Sequence, residues 1–407
     1  MNDIICAIDI GSTICRILIA RPDARGGIEV IGVGRVPSKG VRSGVIINIE
    51  SAIQCIVDAV KEAELMSGLV VGSAYVNITG KHLHGENSRG VVAITNKERV
   101  VREGDVLRVI EGAQNIRIPS DQEIIHVLSR EFRVDDQAGV RDPTGMTGIR
   151  LEAEVHIVTA GTTALTNLTK SVNGAGIQMI DPVMSSLASA EAVVTEDEKD
   201  LGVAVVDIGG GICDLILYLD GGVAYSSVIP IGGNHVTQDL SIGLKVPIES
   251  AEAIKKSYGL ARIDAVDPTE RVEIQGAQGR PLRRVLRQEI AEIIEPRMKE
   301  IFEFIDEQLV RSGKRSALSG GVVITGGGSM LEGSLALAEE VFRMPVTQGF
   351  PAGITGFTER IMSPESATVV GLLHYAARHA GEEPTQRGGG SDRGFMEKLK
   401  EWVRENL

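Results

Sequence analysis

Cysteine is scarce in this chain, with four among 407 residues (Cys6, Cys15, Cys55 and Cys213) and no Cys-x-x-Cys pair. Three of the four lie in or beside apolar runs, which argues against a disulfide scaffold or zinc site and predicts reduced core thiols of a cytosolic protein. His82 and His84 have no third ligand near them and read as a surface pair rather than a metal site. No stretch reaches the roughly eighteen consecutive apolar residues of a spanning helix. No charged segment followed by an apolar core opens the chain, so the expectation is neither a transmembrane nor a secreted protein. A long basic run is missing too. With a formal net charge of −13 and a pI near 5.2, nucleic acid is not expected as a partner, because its recognition needs a basic face. Two common nucleotide signatures are also absent, the Walker A loop and a Gly-x-Gly-x-x-Gly turn before a helix. At 407 residues the chain needs two or three domains.

Glycine, by contrast, is plentiful, and its placement is informative. Ala7-Ile8-Asp9-Ile10-Gly11-Ser12-Thr13-Ile14-Cys15 returns 198 residues later as Val205-Val206-Asp207-Ile208-Gly209-Gly210-Gly211-Ile212-Cys213. Each copy is an apolar run that reaches an Asp, breaks at small residues and resumes, the pattern of a β-hairpin with a glycine tip. Such a tip turns successive N–H groups toward an anion, and an Asp at its base can hold a hydrated Mg²⁺. Two tips facing each other would clamp a triphosphate. A third turn, Gly326-Gly327-Gly328-Ser329, follows the buried-strand pattern Gly321 to Thr325 and precedes a helical stretch, Leu331 to Phe342. It suits close contact with a flat base or ribose.

The periodicity predicts an α/β protein of two duplicated halves. Residues 1–83 read as the hairpin, a strand (Val30 to Val36), a helix (Ser51 to Met66) and a strand (Ser73 to Ile78), and residues 84–160 as a small inserted α+β unit. The α/β pattern resumes over 161–202, and 203–380 form the second half, with a helical subdomain at about 235–316. Within it, apolar positions from Leu286 to Leu309 recur with a helical period, predicting a long helix from about Arg284 to Arg311 that Pro296 should kink. Residues 381–393 contain no aliphatic or aromatic residue and read as a flexible linker. In the segment 394–407, Phe395, Met396, Leu399, Trp402, Val403 and Leu407 share one helical face opposite every charged residue. That face, holding the chain's single Trp, suits a helix lying in a lipid interface. Docking on the body or on another subunit is the other reading.

The three turns resemble those of the actin, heat-shock chaperone and sugar-kinase superfamily, whose two halves close on ATP. The resemblance implies that Asp9, Gly11, Ser12 and Thr13 form the first phosphate loop, Asp207, Gly209, Gly210 and Gly211 the second, and Gly326, Gly327, Gly328 and Ser329 the adenosine loop, with Asp9 and Asp207 holding Mg²⁺ through water. Glu252, Lys255 and Lys256 sit where relatives bracket the base and ribose; a solvated helix face is the alternative. Within the superfamily, Gly279 to Arg297 (Gly-Arg-Pro-Leu-Arg-Arg-Val-Leu-Arg-Gln-Glu-Ile-Ala-Glu-Ile-Ile-Glu-Pro-Arg) and Ser186-Leu187-Ala188-Ser189-Ala190-Glu191-Ala192 resemble the FtsA family of bacterial cell-division proteins, which carries an insert at this place. That resemblance implies an ATP-binding protein that forms filaments and holds FtsZ at the inner face of the cytoplasmic membrane at the division site. Arg280, Arg283, Arg284 and Arg287 would dock the acidic FtsZ C-terminal peptide, or else cover the Glu-rich long helix. Other cell-division proteins would meet the insert, and the C-terminal helix would bind the membrane surface. Where the superfamily places a Gln or Glu to orient water, this chain has Ser185, which implies weak or absent ATP hydrolysis and leaves the catalytic residues unknown. A metabolic kinase of the same superfold and a pilus-assembly relative are the alternative readings.

Overall fold

The computed structural model describes residues 4–23, 27–274 and 282–379. The expected linker and amphipathic helix, with Phe395, Met396, Leu399, Trp402, Val403 and Leu407, lie outside the described residues, as does Arg280.

Apolar runs without polar alternation, such as Ile5–Ile10 and Val203–Ile208, are buried along their whole length, as expected of strands covered on both faces. The first sheet has six strands in the order Gln178–Met184, Ser73–Ile78, Ile5–Ile10, Ile14–Pro22, Ile28–Pro37 and Ile354–Gly356. The second has five, Gly222–Ile229, Cys213–Leu219, Val203–Ile208, Val322–Thr325 and Val346–Gln348. In both, a hairpin and a third antiparallel strand form a meander, and a parallel strand lies on the other side of the hairpin's first strand. Duplication in sequence is therefore duplication of topology.

Helices cover these sheets at close range. Ile49–Ser67 starts where the Asn48 side chain accepts from Ser51 N and ends at Gly68 in the left-handed region (φ 71°). It lies against Ile28–Pro37 through Gly32 and Gly34: a Cβ at Gly32 would stand 2.5 Å from the Ala63 carbonyl oxygen, and one at Gly34 would land on that of Ala59. On the other face, Ala367–Arg378 crosses Ser185–Val193 with Gly371 against the Ala188 backbone.

Between Ile78 and Thr162 the chain leaves the first sheet to build a separate layer. Its four strands run in the order Leu83–Ala93, Arg150–Gly161, Gln122–Val134 and Gln137–Val140, with the helix Glu103–Gln114 on one face and its own core around Val106, Val109, Ile110, Leu151 and Ile157. This layer docks on the second half through buried polar groups. His156 Nε2 lies 2.8 Å from Ser226 Oγ, its Nδ1 2.5 Å from Asn87 Oδ1, and Asn87 Nδ2 donates to the Ala224 carbonyl at 3.0 Å. Burial pushes the His156 imidazole down to about 4. Because the folded chain then binds fewer protons than the unfolded one, this contribution to stability is complete above pH 6.5 and lost as pH falls toward 4. Urea unfolding should show a loss of about 3 kcal/mol over that window, and His156→Gln should remove that component of the pH dependence.

Two elements differ from the sequence expectation. The long helix spans Arg287–Arg311, with Pro296 inside it, because Arg283–Leu286 forms a strand paired with Arg271–Ile274. That ladder buries Val285, and a buried cross-strand register outweighs a local helical period. The helix expected from Leu331 begins at Ser334, after a 3-10 turn over Gly327–Met330 and a left-handed Gly333 (φ 81°).

Candidate functional site

The two glycine turns close in the same way. Gly11 N donates to Ile14 O at 3.1 Å, and Gly209 N to Ile212 O at 2.9 Å. The sheets bring the tips face to face: a Cβ on Gly210 would land on Thr13 Oγ1, one on Gly211 would stand 2.9 Å from Ser12 Oγ, and Thr13 Oγ1 lies 3.4 Å from Asn234 Oδ1. Glycine is required in the second turn because the first occupies the space its side chains would fill. Beneath it starts the helix Gly233–Leu244, with Gly233 N donating to Gly209 O and Asn234 N to Gly210 O at 2.9 and 2.7 Å. A helix N-terminus behind a glycine turn adds positive potential on the side where phosphate would lie.

The third turn lies across the end of Val203–Ile208. Gly326 (φ 80°, ψ 166°) has a backbone that only glycine adopts readily, and a Cβ there would meet Asp207 and, at 2.7 Å, Ile208 O. Gly328 packs on Ile208, Gly327 faces Glu365, and the Ser329 hydroxyl donates to Gly326 O at 2.8 Å. Of the three helical residues considered for the base and ribose, two reach this wall. Lys255 Nζ donates to Gly233 O (3.1 Å) and Thr237 Oγ1 (2.7 Å) and pairs with Glu252 Oε2 at 2.7 Å. Glu252 also accepts from Thr237 at 2.5 Å. Lys256 points outward, its side chain 67% exposed, and pairs with Glu252 Oε1 at 3.2 Å.

Three buried carboxyls converge beneath the turns. Burial pushes Asp9 up to about 7, with Arg16 opposing and Asp207 adding to the rise. Burial also raises Asp207, against hydroxyl donors Ser189 (2.6 Å) and Thr368 (2.9 Å) on Oδ2. Asp214, opposite Asp207 across the hairpin, is pushed by burial up to about 8 while accepting from Thr79 at 2.5 Å. The nearest cation, Arg16, stands 3.8 Å from Asp9 and is drawn at 2.8 Å to Glu365. Such a set is short of positive charge, and added cationic charge would return its members to the ionised form. Among the described residues no group of three or more His, Cys, Asp or Glu is arranged to enclose a metal. The donor set therefore fits an ion held through water and a ligand's own oxygens rather than a caged metal.

Ser185 opens the helix Ser185–Val193, buried, its hydroxyl accepting from Asn77 Nδ2 at 3.1 Å. Asn77 Oδ1 in turn accepts from Ile10 N at 2.7 Å. Glu191, the nearest carboxylate on that helix, is tied to Lys199 at 3.0 Å and to Arg378. The basic cluster is divided. Arg284 pairs with Glu273 at 2.9 Å, Arg287 with Glu270 at 3.2 Å and Glu332 at 2.8 Å, and Arg283 donates to the Leu244 carbonyl. None of these partners belongs to the long helix Arg287–Arg311, of which Arg287 is itself the first residue. Sequence reasoning missed Asn77, Thr79, Asp214, Asn234 and Thr368 as site residues. Of these, only Asp214, seven residues beyond Asp207, carried a local signal.

Comparison with known proteins gives concordant results. The chain matches the family model described as cell division protein FtsA over residues 204–371, and that of the SHS2 domain inserted in FtsA over 80–159. The cell division protein FtsA of Pseudomonas aeruginosa is 40% identical over 410 residues, covering 99% of this chain and 98% of the relative. That of Escherichia coli K12 is 35% identical over 414 residues, with the same coverage of each. Among solved structures, the PilM-PilN type IV pilus biogenesis complex aligns with a TM-score of 0.64 at 16% identity, covering 92% of this chain and 98% of the other. MreB5 of Spiroplasma citri bound to ADP aligns with a TM-score of 0.52 at 12% identity, covering 92% and 95%. At these identities the structural matches speak to the fold alone.

Proposed function

The chain belongs to the FtsA family of cell-division proteins and has an actin-like α/β fold with an inserted SHS2 domain, and on that premise we propose that it binds ATP with Mg²⁺ between its halves, assembles into filaments with copies of itself, and anchors FtsZ filaments at the inner face of the cytoplasmic membrane at the division site. The observation that carries the nucleotide reading is the meeting of two identically closed glycine turns above buried Asp9 and Asp207. Bound Mg²⁺ would supply positive charge against the phosphates. The chain's own residues do the rest. The N–H groups of residues 12–13 and 210–211 orient the phosphates, Asp9 and Asp207 order water around the ion, and Gly326 to Ser329 with Lys255 and Glu252 bracket the base and ribose.

Hydrolysis is slow or absent in this reading. Ser185 is a weak base with its hydroxyl bonded to Asn77, and Glu191 is spent in ion pairs. ATP then acts as a ligand that joins the two halves and favours the filament, since it touches both. Arg283 and Arg284 are exposed at the strand Arg283–Leu286 and offer guanidinium groups to the acidic FtsZ C-terminal peptide. The segment 394–407 supplies the membrane contact. Its three acidic and three basic residues leave little attraction to anionic lipid, so binding rests on apolar burial and is multiplied by avidity in a filament.

Liposome co-sedimentation with ATP and Mg²⁺ tests this. The full chain should pellet with vesicles and bring purified FtsZ with it, whereas a chain ending at Arg393 and the Trp402→Glu variant should remain in the supernatant. Equal behaviour of the three would remove the membrane role.

A further inference from the structure

We propose that Glu365 is a positioning residue of the nucleotide site: it draws Arg16 away from Asp9 and so keeps that carboxylate open to the water around the ion. The ion and its water belong to the nucleotide reading above, on which this role rests. Across the first hairpin Asp9 stands directly opposite Arg16, and across the next pair of strands Arg16 stands opposite Arg35, so the three side chains form a row on one face of the sheet. Directly opposed residues have Cβ atoms about 5 Å apart, well within the reach of a guanidinium. Local geometry alone would therefore close an Asp9–Arg16 ion pair. Instead Arg16 Nη1 stops 3.8 Å from Asp9 Oδ2, outside hydrogen-bond range, while its Nη2 stands 2.8 Å from Glu365 Oε2. Arg35 Nη2 reaches the same carboxylate at 3.2 Å. With the Arg16 side chain 12% exposed, solvent screens these charges little, and the place of one guanidinium decides how much negative charge Asp9 presents.

Arg16 and Arg35 are like charges side by side, and Glu365 holds both. Without its charge, Arg35 repels Arg16 along the row, toward Asp9, the remaining anion. A closed Asp9–Arg16 pair would take the carboxylate oxygens that order water in the nucleotide reading, so ion and arginine compete for one group. The third turn, not the hairpin, places Glu365 for this. Glu365 lies in the 3-10 turn Pro364–Ser366, where the Pro364 carbonyl accepts from Gly326 N at 3.1 Å and from Thr325 Oγ1 at 3.2 Å. A Cβ on Gly327 would stand 3.7 Å from Glu365 Cβ. In the helix that follows, Thr368 donates to Asp207 Oδ2 at 2.9 Å. One short segment thus serves both carboxylates, holding a cation off Asp9 and giving a hydroxyl donor to Asp207. It does so while bonded to the turn assigned to the base and ribose, which joins the two ends of the site through the chain itself.

Calorimetry with ATP at graded Mg²⁺ concentrations on the full chain tests the role. Glu365→Gln should raise the Mg²⁺ concentration that gives half of the gain in ATP affinity by about tenfold, the effect of one opposite charge brought onto a carboxylate. In an Arg16→Gln background the same substitution should change it less than about twofold, because no guanidinium remains to be held. No shift with Glu365→Gln, or the same tenfold shift without Arg16, would overturn the proposal. A second readout needs no ligand. In chelator, a double-mutant cycle of Arg16→Gln and Asp9→Asn followed by melting temperature should show a coupling about 3 °C larger with Glu365→Gln than without it. An unchanged or smaller coupling would also overturn the proposal. If the parent chain binds no ATP, or binds it without regard to Mg²⁺, the nucleotide reading falls, and the ligand-free cycle still decides whether Glu365 holds Arg16 off Asp9.

Discussion

Alanine at Gly371 should lower the unfolding free energy by about 3 kcal/mol and weaken ATP binding at a distance. A Cβ there lands on the Ala188 carbonyl oxygen, with Ala188 Cα 3.2 Å away. The obstacle is helical backbone rather than a side chain that could rotate, so Ser185–Val193 and Ala367–Arg378 must separate. Those helices carry Ser189 and Thr368, the two hydroxyls that donate to Asp207. Spreading them leaves a buried carboxylate with fewer donors, which costs more than the packing defect alone. Gly104→Ala is the control. It lies in the helix Glu103–Gln114 with nothing within 4 Å of the added carbon, and should be neutral or stabilising by up to about 1 kcal/mol. Paired urea titrations of the two variants check the contrast, and a Gly371→Ala chain as stable as Gly104→Ala would refute the backbone clash.

Asp9→Asn should abolish the Mg²⁺-dependent part of ATP affinity, a loss of about a hundredfold or more, without destabilising the nucleotide-free chain. The sign follows from burial. Asp9 is raised in the folded state to about 7 from the ordinary carboxylate value, so the folded chain holds a proton that the unfolded chain has released. Its contribution to stability is therefore whole below pH 4 and lost as pH rises through 7. Asparagine does not ionise and avoids that loss, so nucleotide-free Asp9→Asn should be more stable than the parent at pH 8, by about 2 to 4 kcal/mol, and little different at pH 4. Thermal melts at the two pH values with chelator present, alongside ATP titrations with and without Mg²⁺, separate the two effects. A variant less stable than the parent at pH 8 would show that Asp9 is held mainly by Arg16.

Much of the architecture was legible because it is written locally. The two hairpins follow from apolar period and glycine placement alone, and the helix expected over Ser51 to Met66 lies within Ile49–Ser67. Two other local stretches, Gly279 to Arg297 and Ser186 to Ala192, carried the resemblance to the FtsA family that the relatives at 40% and 35% identity bear out. Where a local pattern met a distant partner, it failed. Arg283–Leu286 carries a helical signal and forms a strand, since pairing with Arg271–Ile274 buries Val285.

The sequence by itself determined where the turns lie, which residues are apolar on which period, and that the halves are copies, because these depend on neighbours a few positions away. Only the tertiary structure decided what each turn faces. Thr13 meets Gly210 and Asn234, Thr79 reaches Asp214, and Thr368 reaches Asp207. These partners lie between 135 and 221 positions apart. Their meeting is set by how closely helices settle on sheets, through small contacts such as Gly34 on Ala59 and Gly371 on Ala188, and no local propensity encodes those distances.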